Sequence, residues 1–209
     1  LIKAAKRGAA GDSLADISGN ISNIVNRINN VISQITFMPL AQIFSRFPGI
    51  VSDLAQSMKK KIEFVVNDNN VVIDKKIADT VGEVFIHLIK NSADHGLEPP
   101  DERLKIGKSE CGKIEIRAQQ SGNYVVIKMI DDGRGLDRDK ILKKAIEKKL
   151  TTDADAANLS AEQIYNFIFM PGFSTAEKIT DTSGRGVGMD AVKNNIEKIG
   201  GSMTLKSEK

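Results

Sequence analysis

A chain of 209 residues with 41% hydrophobic residues is long enough to form one well-packed domain and a smaller appended element. Lysine and arginine exceed the acidic residues by only three, an evenly spread excess that argues against a nucleic-acid surface. A single cysteine, Cys111, excludes an internal disulfide, and no group of Cys and His has zinc-site spacing. No apolar run reaches the roughly 20 residues of a membrane span, and no signal peptide begins the chain, so we expect a soluble, cytoplasmic protein.

The N-terminal part of the chain contains a heptad repeat. Residues 1–12 are expected to be a lead-in or a truncated end, and residues 13–58 a dimerisation helix and a hinge. The apolar residues of the repeat recur at alternating steps of three and four; they are Leu14, Ile17, Ile21, Ile24, Ile28, Val31, Ile35 and Met38. Because the intervening residues are mostly Asn and Ser, the helix is expected to depend on a partner helix. A helix docked on its own domain is the alternative.

The hinge and the start of the following domain show turn and strand signals. Pro48-Gly49 predicts a turn before a helix over residues 50–58. β-branched runs at 62–66 and 71–73 flank an Asn-rich segment and predict a hairpin whose turn tolerates left-handed backbone. We place the start of the main domain, residues 59–209, at this hairpin.

The remaining elements follow from helical or alternating spacing. Asp74 is predicted to cap a long helix with apolar positions from Ile77 to Ile89. Residues 112–118 and 123–130 alternate like paired strands. Helices are expected near 138–148, 161–169 and 186–199, and a strand over 202–206. This order predicts an α+β fold in which a mixed sheet carries helices on one face.

The end of the long helix carries a first group of polar residues. His87, Asn91 and Asp94 are separated by steps of four and three. On an α-helix they share one face, so an imidazole, an amide oxygen and a carboxylate can converge on a metal-bound phosphate. The alternative is a polar helix terminus at which Asp94 and His95 act as capping groups.

A second group directly follows a predicted strand and reads Asp131-Asp132-Gly133-Arg134-Gly135. The two glycines let backbone approach a ligand, and a carboxylate can accept a hydrogen bond from an exocyclic amine such as that of adenine. A glycine-rich turn with solvated aspartates is the alternative.

A third group precedes the last predicted helix. It consists of Ser183, Gly184, Arg185, Gly186, Val187, Gly188 and Met189. Backbone amides and the positive end of a helix suit an anion. A dinucleotide-binding βαβ unit is disfavoured because no strand leads into these glycines.

In chain order these groups resemble the N, G1, F and G2 boxes of the GHKL ATPase superfamily. The first group has the form found in CheA chemotaxis kinases, since other members carry a carboxylate where this chain has His87. Further agreement comes from Arg46-Phe47-Pro48, from Pro99-x-x-Glu102-Arg103-x-x-x-Gly107-Lys108 and from the segment Phe169 to Thr175. The resemblance covers residues 37 to 207.

This resemblance implies a Bergerat-type two-layer α/β sandwich, preceded by a coiled-coil-like helix, that binds ATP and Mg²⁺. Asp131 would recognise adenine, Asn91 would hold magnesium, and His87 would lie beside the metal and the γ-phosphate. An ATP lid is expected near 150–183. Candidate cations for the phosphates are Lys90, Lys178 and Arg185, each of which is alternatively a solvated surface residue. The implied nucleotide-binding residues are Asn91, Asp94, His95, Asp131, Gly133, Gly135, Ser174, Thr175 and the third group, Ser183 to Met189.

The resemblance also implies a function and partners. The γ-phosphoryl group would pass to a histidine on a separate phosphotransfer domain and then to response regulators. A homodimer is expected, as are a CheW-like adaptor and chemoreceptors that bind through a regulatory domain absent from these residues. We further expect the final strand of the sheet to lie beyond Lys209.

Departures from the family pattern keep two other functions open. Lys90 stands where arginine is usual, Gly49 where a second arginine is common, and Thr36-Phe37 where an arginine-methionine pair is typical. The only histidines, His87 and His95, both belong to the first group, so the chain has no evident phosphoacceptor. A degenerate nucleotide-binding scaffold and a different GHKL ATPase are the alternatives.

Overall fold

The computed structural model describes residues 17–28, 31, 36–156, 158–173 and 188–208, and residues 17–28 are helical. The strands that follow are β1 (Phe37–Pro39), β2 (Ile62–Asn67), β3 (Val72–Asp74), β4 (Gly112–Ser121) and β5 (Tyr124–Asp131). The helices are α1 (Leu40–Phe44), α2 (Phe47–Met58), α3 (Lys75–Asn91), α4 (Pro100–Lys105), α5 (Arg138–Glu147), α6 (Asp153–Ala156), α7 (Ala161–Asn166) and α8 (Met189–Lys198). A π-helical turn, Ser92–Gly96, continues α3, and a 3₁₀ turn, Phe167–Phe169, continues α7.

The main sheet is mixed, as the sequence predicts. Its strand order is β2-β4-β5, with β2 parallel to β4 and β4 antiparallel to β5. Phe64, Ile116 and Ile127 face the hydrophobic core beneath the helices, whereas Arg117 and Lys128 on the opposite face are exposed. Alternating side chains point to opposite faces of a strand, so one face alone is covered. The result is the two-layer α/β sandwich of the expected α+β class.

The predicted hairpin of β2 and β3 is wrong. β3 pairs antiparallel with β1 in a separate two-stranded sheet, while β2 joins β4. The turn itself has the expected left-handed backbone, with φ of 46° at Asn69 and 55° at Asn70. The Asn69 side chain donates a hydrogen bond to the Ala118 carbonyl at 2.7 Å. The turn is thus fastened to β4, and the chain leaves it toward β1 instead of returning along β2.

Helix α2 begins earlier than the sequence predicts. Pro48 lies in its first turn, where a missing N–H costs nothing, so Pro48-Gly49 starts the helix and does not precede it. Phe47 is fully buried, with its ring centroid 5.4 Å from Phe44 and 6.5 Å from Phe64. Aromatic packing therefore joins α1, α2 and β2.

Helix α3 lies at the centre of the main core and follows the predicted pattern. Asp74 caps its N-terminus by accepting a hydrogen bond from the Lys76 amide at 2.8 Å. Val81, Val84 and Phe85 are buried on one side of the helix. The long helix and its cap are confirmed, and they carry the first polar group to one end of the core.

A second, smaller core lies under α5 and α7. Its buried members are Ile141, Ala145, Ile164, Tyr165, Ile168 and Phe173. Met189, at the start of α8, packs against both cores. The end of the glycine-rich third group is thereby placed between the two.

The predicted strand over residues 202–206 is wrong. Met203 and Leu205 are half-buried between exposed neighbours, so the alternation is present. Residues 201–208 nevertheless have no strand assignment, because no other strand among the described residues supplies a hydrogen-bonded ladder for them. Alternation alone reports which side chains face inward and not whether the backbone has a partner.

The heptad residues described from Ile17 to Val31 are open to solvent, whereas the prediction for Met38 is wrong, because this residue lies in β1 and packs against the main core. The side chains of Ile17, Ile21, Ile24 and Ile28 are each about half exposed, while Leu14 and Ile35 lie outside the described residues. In the described part of the chain, no helix is both long and apolar enough to cross a membrane.

We expect Phe47→Ala to lower the free energy of unfolding by about 3–5 kcal/mol, because it removes a fully buried ring and leaves a cavity. Phe37→Ala is the matched control, since Phe37 is 45% exposed; its cost should be about 1 kcal/mol or less. Urea unfolding followed by circular dichroism measures both. Equal costs would contradict the assignment of Phe47 to the core.

Candidate functional site

The first polar group lies where α3 changes from α- to π-helical geometry. His87 and Asn91 are one α-helical turn apart on α3. From Ser92 the backbone widens, and the Leu97 amide donates to the Ser92 carbonyl, five residues back, at 2.7 Å. Asp94 lies in this wider turn, so the α-helical spacing on which the predicted single face depends holds for His87 and Asn91 and ends before Asp94. The Asp94 carboxylate is exposed and lies 3.5 Å from His95 Nε2.

Lys60 stabilises this π-helical turn from outside the motif. Its Nζ donates hydrogen bonds to the carbonyls of Ala93, Asp94 and Leu97 at 2.7–2.8 Å. Burial lowers the pKa of Lys60, and the nearby carboxylate of Asp94 partly opposes that change. Lys60 is not predicted from the sequence, because the middle one of three consecutive lysines before a strand carries no signal of a contact more than thirty residues away.

Asp131, at the end of β5, is held by hydrogen bonds to both of its carboxylate oxygens. Ser92 Oγ donates to Oδ2 at 2.7 Å, and the Gly133 amide donates to Oδ1 at 3.1 Å. The carboxylate remains exposed and still has acceptor capacity, since a carboxylate offers about four lone-pair sites. It can therefore accept a further donor from a ligand in a fixed orientation.

The first and second groups form one site through a backbone contact. The Arg134 amide donates to the Gly96 carbonyl at 2.9 Å. A Cβ built on Gly133 would fall on that Gly96 carbonyl, closer than any two nonbonded atoms approach. Only glycine at position 133 permits this approach. The glycines after Asp131 are predicted to let the backbone approach a ligand. At Gly133 the backbone does make a close approach, but to the π-helical turn of the same chain.

Gly135 packs against the end of the described chain. Its φ is 68°, and a Cβ there would lie 2.7 Å from the Glu208 carbonyl oxygen. The neighbouring Leu136 amide donates to Ser207 Oγ at 2.8 Å. Left-handed backbone and close packing thus account for this glycine without a ligand.

Asn91 also contacts the start of α8. Its Nδ2 lies 3.3 Å from the Met189 sulfur, which can only accept a hydrogen bond. The amide nitrogen therefore faces Met189, and the amide oxygen is left for another partner. Gly188 forms the N-cap of α8 and supplies no side-chain cap, and the Asp190 carboxylate in the first turn accepts a hydrogen bond from the Ala191 amide at 2.9 Å.

The amide oxygen of Asn91 is a suitable ligand for magnesium, which prefers oxygen and commonly takes one or two protein ligands together with phosphates and water. Among the described residues, no group of three or more His, Cys, Asp or Glu side chains has the arrangement of a complete metal site. The residues present thus suit a metal that arrives with a phosphate ligand and not one held by protein alone.

Several predicted residues lie outside the described part of the chain. They are Ser174, Thr175, Lys178, Ser183, Gly184, Arg185, Gly186 and Val187. Phe169 and Phe173, which precede them, are both buried. Phe173 belongs to the second core, and the Lys193 ammonium lies 5.7 Å from the centre of the Phe169 ring.

A half-buried ion cluster lies beside the loop that follows Asp131. We use the name Arg103 cluster for Glu98, Arg103, Lys108 and Asp132, which form three ion pairs. Arg103 is 1% exposed and Glu98 5%. Burial alone would raise the pKa of Glu98, but the hydrogen bond from Lys108 and the charges of Lys108 and Arg103 hold it below its ordinary value.

In the sequence, Arg103 and Lys108 are motif residues to which no role is assigned. The sequence around them does not predict that they form ion pairs inside the fold, because arginine and lysine side chains are usually exposed to solvent. Only the fold brings them to Asp132.

His87 is held largely in its neutral form. Burial lowers the pKa of its imidazole, and the nearby charge of Lys90 lowers it further. A neutral imidazole can accept a proton or a hydrogen bond, or bind a metal. Since folding favours the unprotonated form, the stability that this group contributes is present above the unfolded pKa and is lost as the pH falls through the lower folded pKa.

We expect Lys90→Met to raise the pKa of His87 toward its ordinary value of about 6.5, because one of the two causes of the shift is removed. NMR titration of the imidazole in a His95→Gln background gives a single histidine signal. Lys76→Met, an exposed lysine at the other end of α3, is the control. An unchanged His87 pKa in Lys90→Met would contradict this electrostatic coupling.

We expect Gly133→Ala to destabilise the protein by about 1–3 kcal/mol, because the added methyl must displace the backbone of Gly96. Gly49→Ala is the matched control. Gly49 lies in α2 with open space around its Cα, so alanine there should be neutral or stabilise by up to about 1 kcal/mol. Thermal and urea unfolding measure both, and tolerance of Gly133→Ala would show that the two loops are not in contact.

Comparison with known proteins agrees with this geometry. Residues 76–209 match the family described as histidine kinase-, DNA gyrase B-, and HSP90-like ATPase. The chain is 42% identical over 196 residues to the chemotaxis protein CheA of Bacillus subtilis, with 94% of this chain and 29% of that protein covered. It is 41% identical to the sensor histidine kinase CheAY of Helicobacter pylori and 42% identical to CheA of Klebsiella aerogenes; each match covers 94% of this chain, and 24% and 30% of the relative respectively.

The chain thus spans less than a third of the length of these relatives. The family match includes α3, the π-helical turn, the Asp131 loop and α8, which are the elements that form the site. The chain belongs to the family of histidine kinase-, DNA gyrase B- and HSP90-like ATPases, and within it is similar to the CheA proteins.

Proposed function

We propose that this chain is the ATP-binding catalytic core of a chemotaxis histidine kinase, which transfers the γ-phosphoryl group of Mg²⁺-bound ATP to a histidine on another domain. The observation that carries the proposal is the fixed carboxylate of Asp131, held by Ser92 and Gly133 beside the Asn91 end of α3. Similarity to CheA proteins over 94% of the chain supports the kinase reaction over other activities of the family.

Each residue of the site has a distinct role in this proposal. Asp131 accepts a hydrogen bond from the exocyclic amine of adenine. Asn91 offers its amide oxygen to magnesium, which would neutralise phosphate charge, and neutral His87 lies one turn away on the same helix face. The backbone amides at the N-terminus of α8 are proposed to bind phosphate oxygens, in place of the Asp190 carboxylate that accepts from one of them. The remaining proposed nucleotide contacts are Asp94, His95, Gly135 and the residues from Ser174 to Val187.

These roles match what phosphoryl transfer demands. The reaction needs the phosphate to be positioned and its charge neutralised more than it needs a covalent intermediate on the kinase. Lys90 supplies a cation at the end of α3, and as a lysine it acts as a point charge without the planar fork of arginine. The site therefore acts by binding and orienting ATP for an acceptor that comes from outside.

The acceptor histidine is proposed to lie outside these residues. The chain has two histidines, His87 and His95, and both lie in the site. We propose a separate phosphotransfer domain as the acceptor, with response regulators downstream and a CheW-like adaptor and chemoreceptors acting through a further regulatory domain.

The heptad helix supports a homodimer. Its apolar residues recur at coiled-coil spacing, and those described from Ile17 to Val31 are about half exposed in the single chain. A second copy of the helix would remove this apolar stripe from water. Residues 13–58 are accordingly proposed as the dimerisation helix and hinge, and residues 59–209 as the catalytic domain with its lid near 150–183.

We expect the parent chain to bind Mg²⁺-ATP saturably in isothermal titration calorimetry, and Asn91→Ala and Asp131→Ala each to lose at least about tenfold in affinity. Asn91→Asp should also weaken metal-nucleotide binding by disturbing the metal site. Matched controls are Asn123→Ala in the β4-β5 turn and Asp79→Ala on the exposed side of α3.

The parent should prefer ATP to GTP, because guanine presents a carbonyl oxygen where adenine presents an amine donor. Equal affinity for the two would contradict the assignment of Asp131. Failure of the folded parent to bind any nucleotide would favour the degenerate scaffold instead.

A further inference from the structure

We propose that the Arg103 cluster positions the Asp131 carboxylate and thereby sets the selectivity of the site for adenine. This inference rests on the proposed function and adds a set of residues that do not themselves touch the nucleotide. The cluster acts through the backbone of the two residues that follow Asp131. Arg103 and Lys108 are accordingly positioning residues and not catalytic ones.

Arg103 fixes the residue next to Asp131. Its Nη2 donates to Asp132 Oδ2 at 2.7 Å, and its Nη1 donates to the Asp132 carbonyl at 3.2 Å. Its Nη1 also donates to Glu98 Oε2 at 3.0 Å, and its Nε donates to the Ser109 carbonyl at 2.6 Å. A planar fork with five donors in fixed directions can make this set of bonds, and an ammonium cannot.

Lys108 fixes the same loop one residue further along. Its Nζ donates to the carbonyls of Asp132 and Gly133 at 2.9 and 2.8 Å, and to Glu98 Oε1 at 2.9 Å. Glu98 thus joins the two cations, with one oxygen bound to each. Together they hold both carbonyls of the loop and one oxygen of Asp132.

The remaining oxygen of Asp132 fastens the loop to the sheet. The Lys113 amide of β4 donates to Asp132 Oδ1 at 2.8 Å, and the Asp132 amide donates to the Lys113 carbonyl at 3.2 Å. Asp132 is therefore held by β4 on one side and by Arg103 on the other. A loop held by side chains in this way cannot shift without breaking several bonds at once.

The cluster reaches Asp131 through Gly133. The Gly133 carbonyl is bound by Lys108, and the Gly133 amide donates to Asp131 Oδ1. The other carboxylate oxygen accepts from Ser92. Asp131 is therefore oriented between two supports: Ser92, on the π-helical turn, and Gly133, whose position depends on the cluster. Movement of Gly133 would turn the acceptor away from the base.

In this proposal, selectivity for adenine over guanine depends on the Asp131 carboxylate being held rigidly and not only on its being present. A fixed carboxylate accepts a hydrogen bond from the amine of adenine. It disfavours guanine, because its oxygen and the guanine carbonyl oxygen are both acceptors and would face each other. A loop that relaxes can turn the carboxylate aside and reduce that penalty. Only Arg103 and Glu98 of the cluster are buried, and the proposal assigns to their ion pairs a contribution to geometry, because burying ions costs desolvation energy that offsets their attraction.

The test is Arg103→Lys, which keeps the charge but removes the fork. ATP and GTP affinities are measured by calorimetry with Mg²⁺, and exchange of the Gly133 amide is followed by NMR without nucleotide. We expect a folded protein with about tenfold weaker ATP binding, a reduced ATP-to-GTP ratio and faster Gly133 exchange. Arg117→Lys is the matched control, because Arg117 pairs with Glu115 on the exposed face of the sheet.

A folded Arg103→Lys protein with unchanged selectivity and unchanged Gly133 exchange would overturn the proposal. Should that variant not fold, Lys108→Met decides in its place with the same two measurements, since Lys108 is one-third exposed and binds the same loop. If neither variant folds, the cluster is required for folding and the proposal is also overturned.

The parent protein separates this inference from the proposed function. Absence of nucleotide binding by the folded parent would defeat the proposed function and the adenine selectivity with it. The exchange of Gly133 needs no nucleotide, so it shows independently whether the cluster holds the loop.

Discussion

The close approach of Gly96 and Gly133 is the contact on which the site depends. These residues lie more than thirty positions apart, in a π-helical turn and in the loop after β5, and the hydrogen bond from the Arg134 amide to the Gly96 carbonyl joins their backbones. Once the two segments touch, Ser92 reaches Asp131 and orients its carboxylate. The site thus begins as a backbone contact that a single methyl group would prevent, and its side-chain chemistry is arranged around that contact.

The parts of the fold that the sequence predicts are those with local causes. The Asp74 cap and the helical spacing from Ile77 to Ile89 specify α3, and period-two alternation specifies β4 and β5. Pairing between distant strands has no such signal. The parallel pairing of β2 with β4 competes with a local hairpin, and the sequence around Asn69 and Asn70 is consistent with either. The deciding hydrogen bond, from Asn69 to the Ala118 carbonyl, spans almost fifty residues.

In the site too, some features have a signal in the sequence and others depend on contacts between distant residues. Family resemblance named Asp131, Asn91 and His87, and the structure brings Asp131 against the end of the helix that carries the other two. The α-helical spacing that predicts a shared face does not extend to Asp94, because a π-helical turn changes the angle per residue and leaves no mark in a single sequence. Gly135 remains a proposed nucleotide contact, and left-handed backbone with the nearby Glu208 carbonyl also requires glycine there. A glycine of a motif can thus be required by the fold whether or not it contacts a ligand.

Irregular backbone gives the site its shape but leaves carbonyl groups without backbone hydrogen bonds. Two lysines supply hydrogen bonds to these carbonyls. A π-helical turn and a tight loop leave carbonyls that no regular ladder satisfies, and buried unpaired carbonyls are destabilising. Lys60 donates to three carbonyls in and beside the first segment, and Lys108 donates to two carbonyls of the second. An ammonium suits this task because its three donors can point at three carbonyls that share no plane. Each lysine thus supplies the hydrogen bonds that a helix or strand would otherwise provide, in segments whose irregular backbone shapes the site.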